Sequence, residues 1–172
     1  MIHIIKFIRN KLFIKSIKNK LRKLNSSPSP NPIILRLWLD ALKSGKYTVG
    51  RKFLCSINEE QQPCYCPLGV LLEVLIQLGF PIEKDEHPTL KPHPNKIYED
   101  PAAPNDVPVY YYHFNEDFNC VLLPTGLGNK VGLDKFTQFD IAIAHDDTTI
   151  SYKNMSFNLA IKFIENKLAK LE

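Results

Sequence analysis

Residues 64–78, CYCPLGVLLEVLIQL, are the most apolar stretch of the chain and determine how the rest is arranged. Pro67 suits the first turn of a helix, where its missing N–H costs nothing, and Gly79 supplies a left-handed stop. Apolar side chains cover nearly the whole circumference of this helix, so that only Glu73 and Gln77, four residues apart, form a polar strip. The pattern predicts a helix from Pro67 to just before Gly79 at the centre of the core.

A second helix is predicted on the N-terminal side of this stretch. Asn31 is a suitable N-cap, Pro32 suits the first helical position, and apolar residues recur at helical spacing until Gly45. We therefore expect a helix from Pro32 to about Ser44. Residues 26–31 precede it as a stiff linker, since each proline fixes its own φ and disfavours helix at the residue before it.

Residues 1–25 form a separate basic amphipathic arm in which apolar and cationic residues alternate, and we expect it to be helical, in two short pieces with a break near Phe13. The arm holds eight of the 22 Lys and Arg residues and no acid, which leaves 14 cations against 18 acids in the rest of the chain. The sequence pI of 8.8 therefore comes from the arm, and it does not indicate a nucleic-acid-binding fold. Three contacts suit such an arm: an anionic membrane, nucleic acid, or the acidic body of its own chain.

The C-terminal half combines loop, strand and helix patterns. Residues 81–119 are rich in prolines and acids and lack a helical period, and within them we expect a strand at 107–114. Residues 120–123, CVLL, are predicted to pair with it as an antiparallel strand. Two further helices are expected, one beginning at Asp134 and one beginning behind Ser156.

These elements predict a single α+β domain at residues 32–172, mostly helical, with a small antiparallel sheet. No apolar run approaches the length of a membrane-spanning helix. Four cysteines without a signal peptide favour a reducing cytoplasm over a disulfide framework. The residues expected in the core are Trp38, Leu68, Leu71, Leu72, Leu75, Phe136, Phe139, Phe157, Ile161 and Ile164.

The cysteines are the first candidates for chemistry. Zinc sites usually pair their ligands as C-x₂-C, whereas Cys64 and Cys66 are one residue apart, so no metal site is predicted. Cys66 precedes Pro67 and is expected at the N-cap of the central helix, where free N–H groups lower a thiol pKa. With His113 or His145 as the base, Cys66 would be the nucleophile of a hydrolase or transferase. The alternative is that Cys66 is a small apolar residue at a buried helix start.

A candidate ligand-binding segment follows the first predicted helix. Residues 44–52, SGKYTVGRK, combine three cations with a tyrosine and two glycines. Cations suit phosphate, and tyrosine rings suit stacking on a base, including a ring from the tyrosine run at 110–112. The alternative is a solvated turn that leads into a strand. The candidate residues for a nucleotide ligand are Lys46, Tyr47, Arg51, Lys52 and Tyr111.

Two blocks of the chain carry a family resemblance. Residues 38–47, WLDALKSGKY, fit the pattern W-x-x-A-L-x-S-G-x-Y, and residues 64–71, CYCPLGVL, are similar to C-C-L-G-V-L. In combination these blocks resemble a family of small proteins associated with bacteriophage and prophage genomes. Looser matches at 123–127 and 145–161 extend the resemblance over about residues 31–172. It departs from the family pattern at 65–67, where Tyr-Cys-Pro replaces the paired cysteines and adds a proline. The usual glutamine after Tyr47 is also missing, and His145 or Asp146 stands where the family has asparagine.

The resemblance implies a phage-type accessory protein that acts in the cytoplasm of a bacterial host. It carries over no catalytic residue and no cofactor. Small accessory proteins of this class often bind a host protein or a signalling nucleotide. We therefore expect a non-enzymatic protein that sequesters a host-defence component or its nucleotide messenger. A cysteine enzyme using Cys66, and a membrane-surface protein attached through residues 1–25, are the alternatives.

Overall fold

The computed structural model describes residues 31–87, 109–115, 117–145 and 156–171. The predicted arm at 1–25 and all of the predicted linker except Asn31 lie outside these ranges. The described chain has the predicted α+β fold. Its elements are α1 (Pro32–Lys43), β1 (Thr48–Val49), β2 (Cys55–Ile57), β3 (Pro63–Tyr65), α2 (Pro67–Gln77), β4 (Glu83–His87), β5 (Val109–Phe114), β6 (Asp117–Asn119), α3 (Thr125–Val131), α4 (Lys135–His145) and α5 (Asn158–Leu168).

The strands form one sheet in the order β1-β3-β2-β5-β4, and β6 pairs with β5. β1 runs parallel to β3, with Thr48 opposite Cys64, whereas the other pairs of the described strands are antiparallel. The sheet is therefore mixed: it is antiparallel as predicted, except where β1 pairs with β3. A parallel pair arises here because the β2–β3 hairpin separates β1 from its partner along the chain.

The central helix is confirmed as the hub of the core. From Pro67 to Leu75 its side chains are buried except that of Glu73. Cys66 is the N-cap residue, with extended backbone, as the sequence predicts. α1 packs beside α2 and is tied to it by Trp38, whose indole N–H donates to the Pro67 carbonyl over 2.8 Å. No helix in the described ranges has the length and apolar character needed to cross a bilayer.

The second strand of the predicted β5 hairpin lies earlier than expected. Asn115 adopts φ 57° directly after β5, and Phe114 pairs with Asp117, so the chain turns within two residues and β6 is Asp117–Asn119. The Asn119 side chain then accepts hydrogen bonds from the N–H groups of Val121 and Leu122, at 2.8 and 3.1 Å. These bonds draw the backbone out of the sheet, and the prediction of a strand at 120–123 is wrong.

The core prediction is wrong for Phe136, whose side chain is 83% exposed. Asp134 caps α4 by accepting the Thr137 N–H at 2.7 Å, and the inward position of the first turn belongs to Gln138. The buried Gln138 side chain accepts the Leu123 N–H and donates to the Leu133 carbonyl, each over 2.9 Å. Phe139 and Ile161 are partly buried against the core, and the other predicted core residues are buried.

Candidate functional site

The two residues of the polar strip of α2 make side-chain contacts with three other parts of the fold. The Oε1 atom of Glu73 lies 2.7 Å from the Nζ atom of Lys84 on β4 and accepts the Tyr112 hydroxyl proton over 3.0 Å. One turn further on, the Gln77 amide donates to the Tyr47 hydroxyl over 3.2 Å. The only two polar residues of an otherwise apolar helix therefore join α2 to β4, to β5 and to the residue before β1.

Three tyrosine rings surround the ammonium group of Lys84. Its Nζ atom lies 4.3 Å from the ring centroid of Tyr110, 5.1 Å from that of Tyr65 and 5.4 Å from that of Tyr112. These distances are within the range of cation–π attraction, and the Glu73 carboxylate neutralises the charge. These rings, Lys84 and their hydrogen-bonded neighbours form what we call the cluster: Tyr47, Tyr65, Glu73, Lys84, Tyr110 and Tyr112.

Strand register explains why these residues meet. In the antiparallel β4–β5 pair, Lys84 stands opposite Tyr112 and Glu86 stands opposite Tyr110. Residues two apart on a strand share a face, so all four side chains project from the face of the sheet on which α2 packs. Tyr65 comes to the same face from β3.

Burial keeps the inner hydroxyl and thiol groups of this region protonated. Burial is the main cause that raises the hydroxyl pKa of Tyr112 and of Tyr65 well above the ordinary value for tyrosine. The Cys55 thiol lies beside both hydroxyl groups, and burial raises its pKa to about 11. The inner part of the cluster is therefore a neutral hydrogen-bonded network around one ion pair, with no thiolate at neutral pH.

The outer part of the cluster reaches solvent. The Tyr47 ring packs edge-on against the Tyr65 ring, with centroids 5.3 Å apart, and the Lys46 Nζ atom lies 5.6 Å from the Tyr47 ring centroid. At the other end, the Tyr110 hydroxyl donates to Glu86 over 3.0 Å. The solvent-accessible residues along this line are called the cluster edge: Lys46, Tyr47, Gln77, Lys84, Tyr110 and Glu86.

The structure brings only part of the predicted nucleotide site together. Lys46 and Tyr47 lie at the cluster edge. Arg51 is buried, which withdraws most of its guanidinium from solvent, and Lys52 follows it with φ 65°. Tyr111 projects from the opposite face of the sheet, where it hydrogen-bonds with Cys120, and burial raises the pKa of its hydroxyl to about 12.

The three candidate catalytic residues lie on three different elements of the fold. Cys66 is buried at the start of α2, and its main-chain N–H donates to the Leu54 carbonyl over 3.3 Å. His113 projects from the sheet face opposite Tyr112, and its Nε2 atom lies 3.2 Å from the Asp85 Oδ2 atom. His145 is the last residue of α4. Among the described residues, no group of three or more His, Cys, Asp or Glu side chains is placed to hold a metal ion.

Sequence reasoning missed the central residues of the cluster. Tyr65, Glu73 and Lys84 come from three separate elements, and no local motif joins them. The one indication in the sequence is the polar strip of α2, because a polar residue on a helix that is otherwise buried all round needs a partner. Lys84, the partner of Glu73, lies in the strand EKDEH, which has no apolar alternation to predict it.

Comparison with protein-family models, with curated proteins and with solved structures found no match for this chain.

Proposed function

We propose that this protein is a non-enzymatic phage-type accessory protein that binds and sequesters a host protein through the cluster edge. The observation that supports this proposal is the position of Lys84, which is ion-paired with Glu73 and enclosed by the rings of Tyr65, Tyr110 and Tyr112. This network holds Tyr110 in a fixed orientation at the surface. A rigid tyrosine gives up little conformational freedom on binding, which favours affinity.

The composition of the cluster edge supports a protein partner. Tyrosine is enriched in protein interfaces and among the residues that contribute most to binding, because it joins a large apolar ring to one hydroxyl. Here two tyrosines, Tyr47 and Tyr110, stand beside charged or amide groups that already hold their hydroxyl groups in place. Such a surface presents apolar ring faces together with satisfied polar tips.

The charge balance argues against a nucleotide as the main ligand. Lys46 and Lys84 supply two cations, whereas Glu73 and Glu86 supply two carboxylates along the same line. A phosphate group placed there would meet two acids that repel it. A nucleotide messenger held by Lys46 and Tyr47 is therefore the second candidate, favoured by the cation–ring contact between those two residues.

The test compares two neighbouring tyrosines on opposite faces of β5. The immobilised full chain is exposed to a lysate of the bacterial host, beside the variants Tyr110→Ala and Tyr111→Ala, each checked for folding by circular dichroism. We expect a host protein to be retained by the unaltered chain and by Tyr111→Ala and to be lost with Tyr110→Ala. Equal retention by all three, or retention of no protein, would contradict the proposal.

A thermal-shift assay with cyclic and linear nucleotides separates the second candidate from the first. A ligand present at about 100 times its dissociation constant adds about 2.7 kcal/mol to stability, which is an easily measured shift. A shift that disappears in Lys46→Ala would favour the nucleotide messenger and count against a protein partner at this edge.

A further inference from the structure

β4 is the outermost strand of the described sheet, on the far side of β5. It pairs with β5 in continuous register along its whole length, Glu83–His87. Tyr112 on β5 is matched both to Lys84 on β4 and to Asn119 on β6, so β6 lies on the opposite side of β5 from β4. Among the described residues, no strand lies beyond β4. Its outer side is therefore an open strand edge in this part of the chain.

The turn after β5 shows which main-chain groups point toward β4. Phe114 and Asp117 are paired across a two-residue turn, and the pair that closes such a turn is joined by main-chain hydrogen bonds. Main-chain groups alternate between the two edges of a strand, so Phe114 and Tyr112 direct theirs at β6. The alternate residues of β5, His113 and Tyr111, direct their N–H and C=O groups at β4.

The same alternation identifies the outward groups of β4. Glu83 and Asp85 stand opposite His113 and Tyr111, so their main-chain groups bond inward to β5. The main-chain groups of Lys84 and Glu86 consequently face away from the sheet. β4 contains no proline, and its continuous register with β5 leaves no bulge, so two common devices that block a strand edge are absent from it. This edge has the main-chain geometry that accepts a further strand.

The side chains of β4 determine which strand fits. Its exposed carboxylates are Glu83, Asp85 and Glu86. Asp85 remains 61% exposed although its Oδ2 atom lies 3.2 Å from the His113 Nε2 atom. Lys84, the one lysine of β4, is already paired with Glu73. Opposite charges on facing strand residues stabilise a pair and like charges destabilise it, so this edge favours a basic strand and disfavours β4 of a second copy.

We propose that an extended segment of the host protein, with lysine or arginine at alternate positions, adds to the outer edge of β4 as a further strand. This inference rests on the proposed function, because Lys84 and Glu86 belong to the cluster edge, and it specifies how the partner binds there. The outward main-chain groups of those two residues bond to the segment, and its cations lie on the opposite face, beside Glu83 and Asp85. Nucleic acid does not fit, because its phosphates would meet these carboxylates.

The probe is a synthetic peptide of alternating lysine and threonine, titrated into the full chain by calorimetry at low salt. One control peptide has the same side chains with methylated backbone nitrogens, and a second has glutamine in place of lysine. We expect the first peptide to bind and each control to bind at least about tenfold more weakly, because the first control lacks main-chain donors and the second lacks charge.

Amide hydrogen exchange locates the bound peptide on the chain. In the free chain, the amide hydrogens of Lys84 and Glu86 should exchange faster than that of Asp85, which is bonded to β5. Addition of the lysine–threonine peptide should slow exchange at Lys84 and Glu86 by about tenfold and change that of Asp85 far less.

Two substitutions at position 86 separate main chain from charge. Glu86→Gln removes the carboxylate alone, whereas Glu86→Pro also removes an outward N–H, at an edge position where proline is tolerated. Glu86→Pro should weaken peptide binding more than Glu86→Gln does. Glu59→Gln, which removes an exposed carboxylate in the turn between β2 and β3, should leave binding unchanged.

Four results would overturn strand addition at β4. Slow exchange of Lys84 and Glu86 in the free chain would show that the edge is already covered, by this chain or by a second copy. Failure of the lysine–threonine peptide to bind, equal binding of the methylated peptide, or binding without protection of these two amides would also contradict it. If Tyr110→Ala still loses a host protein, such a result removes strand addition alone and leaves the proposed function standing. Peptide protection at β4 with no host protein retained would support strand addition and contradict the host partner.

Discussion

Gly69 in α2 lies against the main-chain carbonyl of Leu54, and this contact leaves no room for a β-carbon at position 69. The Leu54 carbonyl also accepts the Cys66 N–H, so the start of the central helix is held directly on the backbone ahead of β2. Both contacting groups are main chain, and neither has a rotamer that would relieve an overlap. The glycine of the CYCPLGVL block is therefore required by close packing of backbone on backbone.

Gly69→Ala should consequently lower the free energy of unfolding by about 3 kcal/mol, at the upper end of the usual cost of overpacking. Gly126→Ala is the matched control, because Gly126 lies in α3 with only the Phe114 ring nearby, at an ordinary 3.7 Å. Alanine there should stabilise by about 0.5–1 kcal/mol through helix propensity. Urea titrations of both variants check this, and similar effects of the two substitutions would contradict the contact at Gly69.

Two lysine–glutamate pairs of nearly equal length should differ in their contribution to stability. The Lys84–Glu73 pair is 2.7 Å long with side chains 22% and 19% exposed, whereas the Lys43–Glu165 pair is 2.6 Å long with side chains 47% and 45% exposed. Lys84→Met should cost about 2–3 kcal/mol, because it leaves the Glu73 carboxylate largely buried without its cation. Lys43→Met should cost less than about 1 kcal/mol, as for most exposed pairs.

Urea denaturation of both methionine variants tests this difference. A double variant in which Glu73→Gln accompanies Lys84→Met should be less destabilised than the sum of its single variants, since the unpaired carboxylate is then absent. If Lys84→Met and Lys43→Met lower the free energy of unfolding equally, the rings and the burial around Lys84 add nothing to the stability contributed by its ion pair.

The two phenylalanines at opposite extremes of exposure should respond differently to truncation. Phe157 is buried beside α5, and Phe157→Ala should lower the free energy of unfolding by about 3–5 kcal/mol. Phe136 is exposed, and Phe136→Ala should change the same quantity by less than about 0.5 kcal/mol. Thermal or chemical denaturation of the two variants measures the contrast. A large loss for Phe136→Ala would place that ring in the core after all.

Alkaline pH should destabilise the fold through groups that stay protonated when folded. Burial raises the pKa of Cys55 from 9.0 to about 11 and that of Tyr111 from 10.0 to about 12. Because the folded chain holds these protons more tightly than the unfolded chain, their contribution to stability is complete below pH 9. It is lost as the pH rises through the folded pKa values.

The melting temperature should therefore fall between pH 9 and 12, and the fall near its start should be smaller in Cys55→Ala. A melting temperature that stays constant or rises across this range would contradict the burial of these groups.

The four cysteines should react slowly with iodoacetamide at neutral pH. All four are buried and so poorly accessible to the reagent, and burial also raises the thiol pKa of Cys55, Cys64 and Cys120, which leaves few of those three as thiolates. Labelling followed by mass spectrometry should show similar slow modification of each thiol in the folded chain and fast modification in urea. Selective fast labelling of Cys66 would favour the cysteine-enzyme alternative and count against the binding function proposed here.

All the described helices except α3 were predictable because their determinants are local. Asn31 and Pro32 define the start of α1, Pro67 and the apolar run define α2, and Asp134 caps α4 as its position in the sequence suggests. β4 was not predictable, since EKDEH gains its place from pairing with β5 and not from an apolar face. α3 contains Gly126 and Gly128, which lower helix propensity and concealed it.

Of the candidate site, only the part of the cluster edge formed by Lys46 and Tyr47 was predictable from the sequence. Lys46 and Tyr47 stand out as a cation and a ring beside a glycine turn. The ion pair of Glu73 with Lys84 depends on the register of β4 against β5, which local sequence does not specify when neither face is clearly apolar. The exposure of Phe136 likewise depends on tertiary contacts. The Gln138 amide hydrogen-bonds with the Leu123 N–H and the Leu133 carbonyl, so Gln138 and not Phe136 faces the core.

The parallel pairing of β1 with β3 also bears on the order in which the chain assembles. The β2–β3 hairpin lies between β1 and its partner along the chain, and the β1–β3 ladder is only two residues long. We expect this ribbon to close last during folding and to open first in the native protein, so that its amide hydrogens exchange with solvent well before those of α2. Tyr47 directly precedes β1, so we expect its edge-on contact with Tyr65 to be lost whenever this strand pair opens.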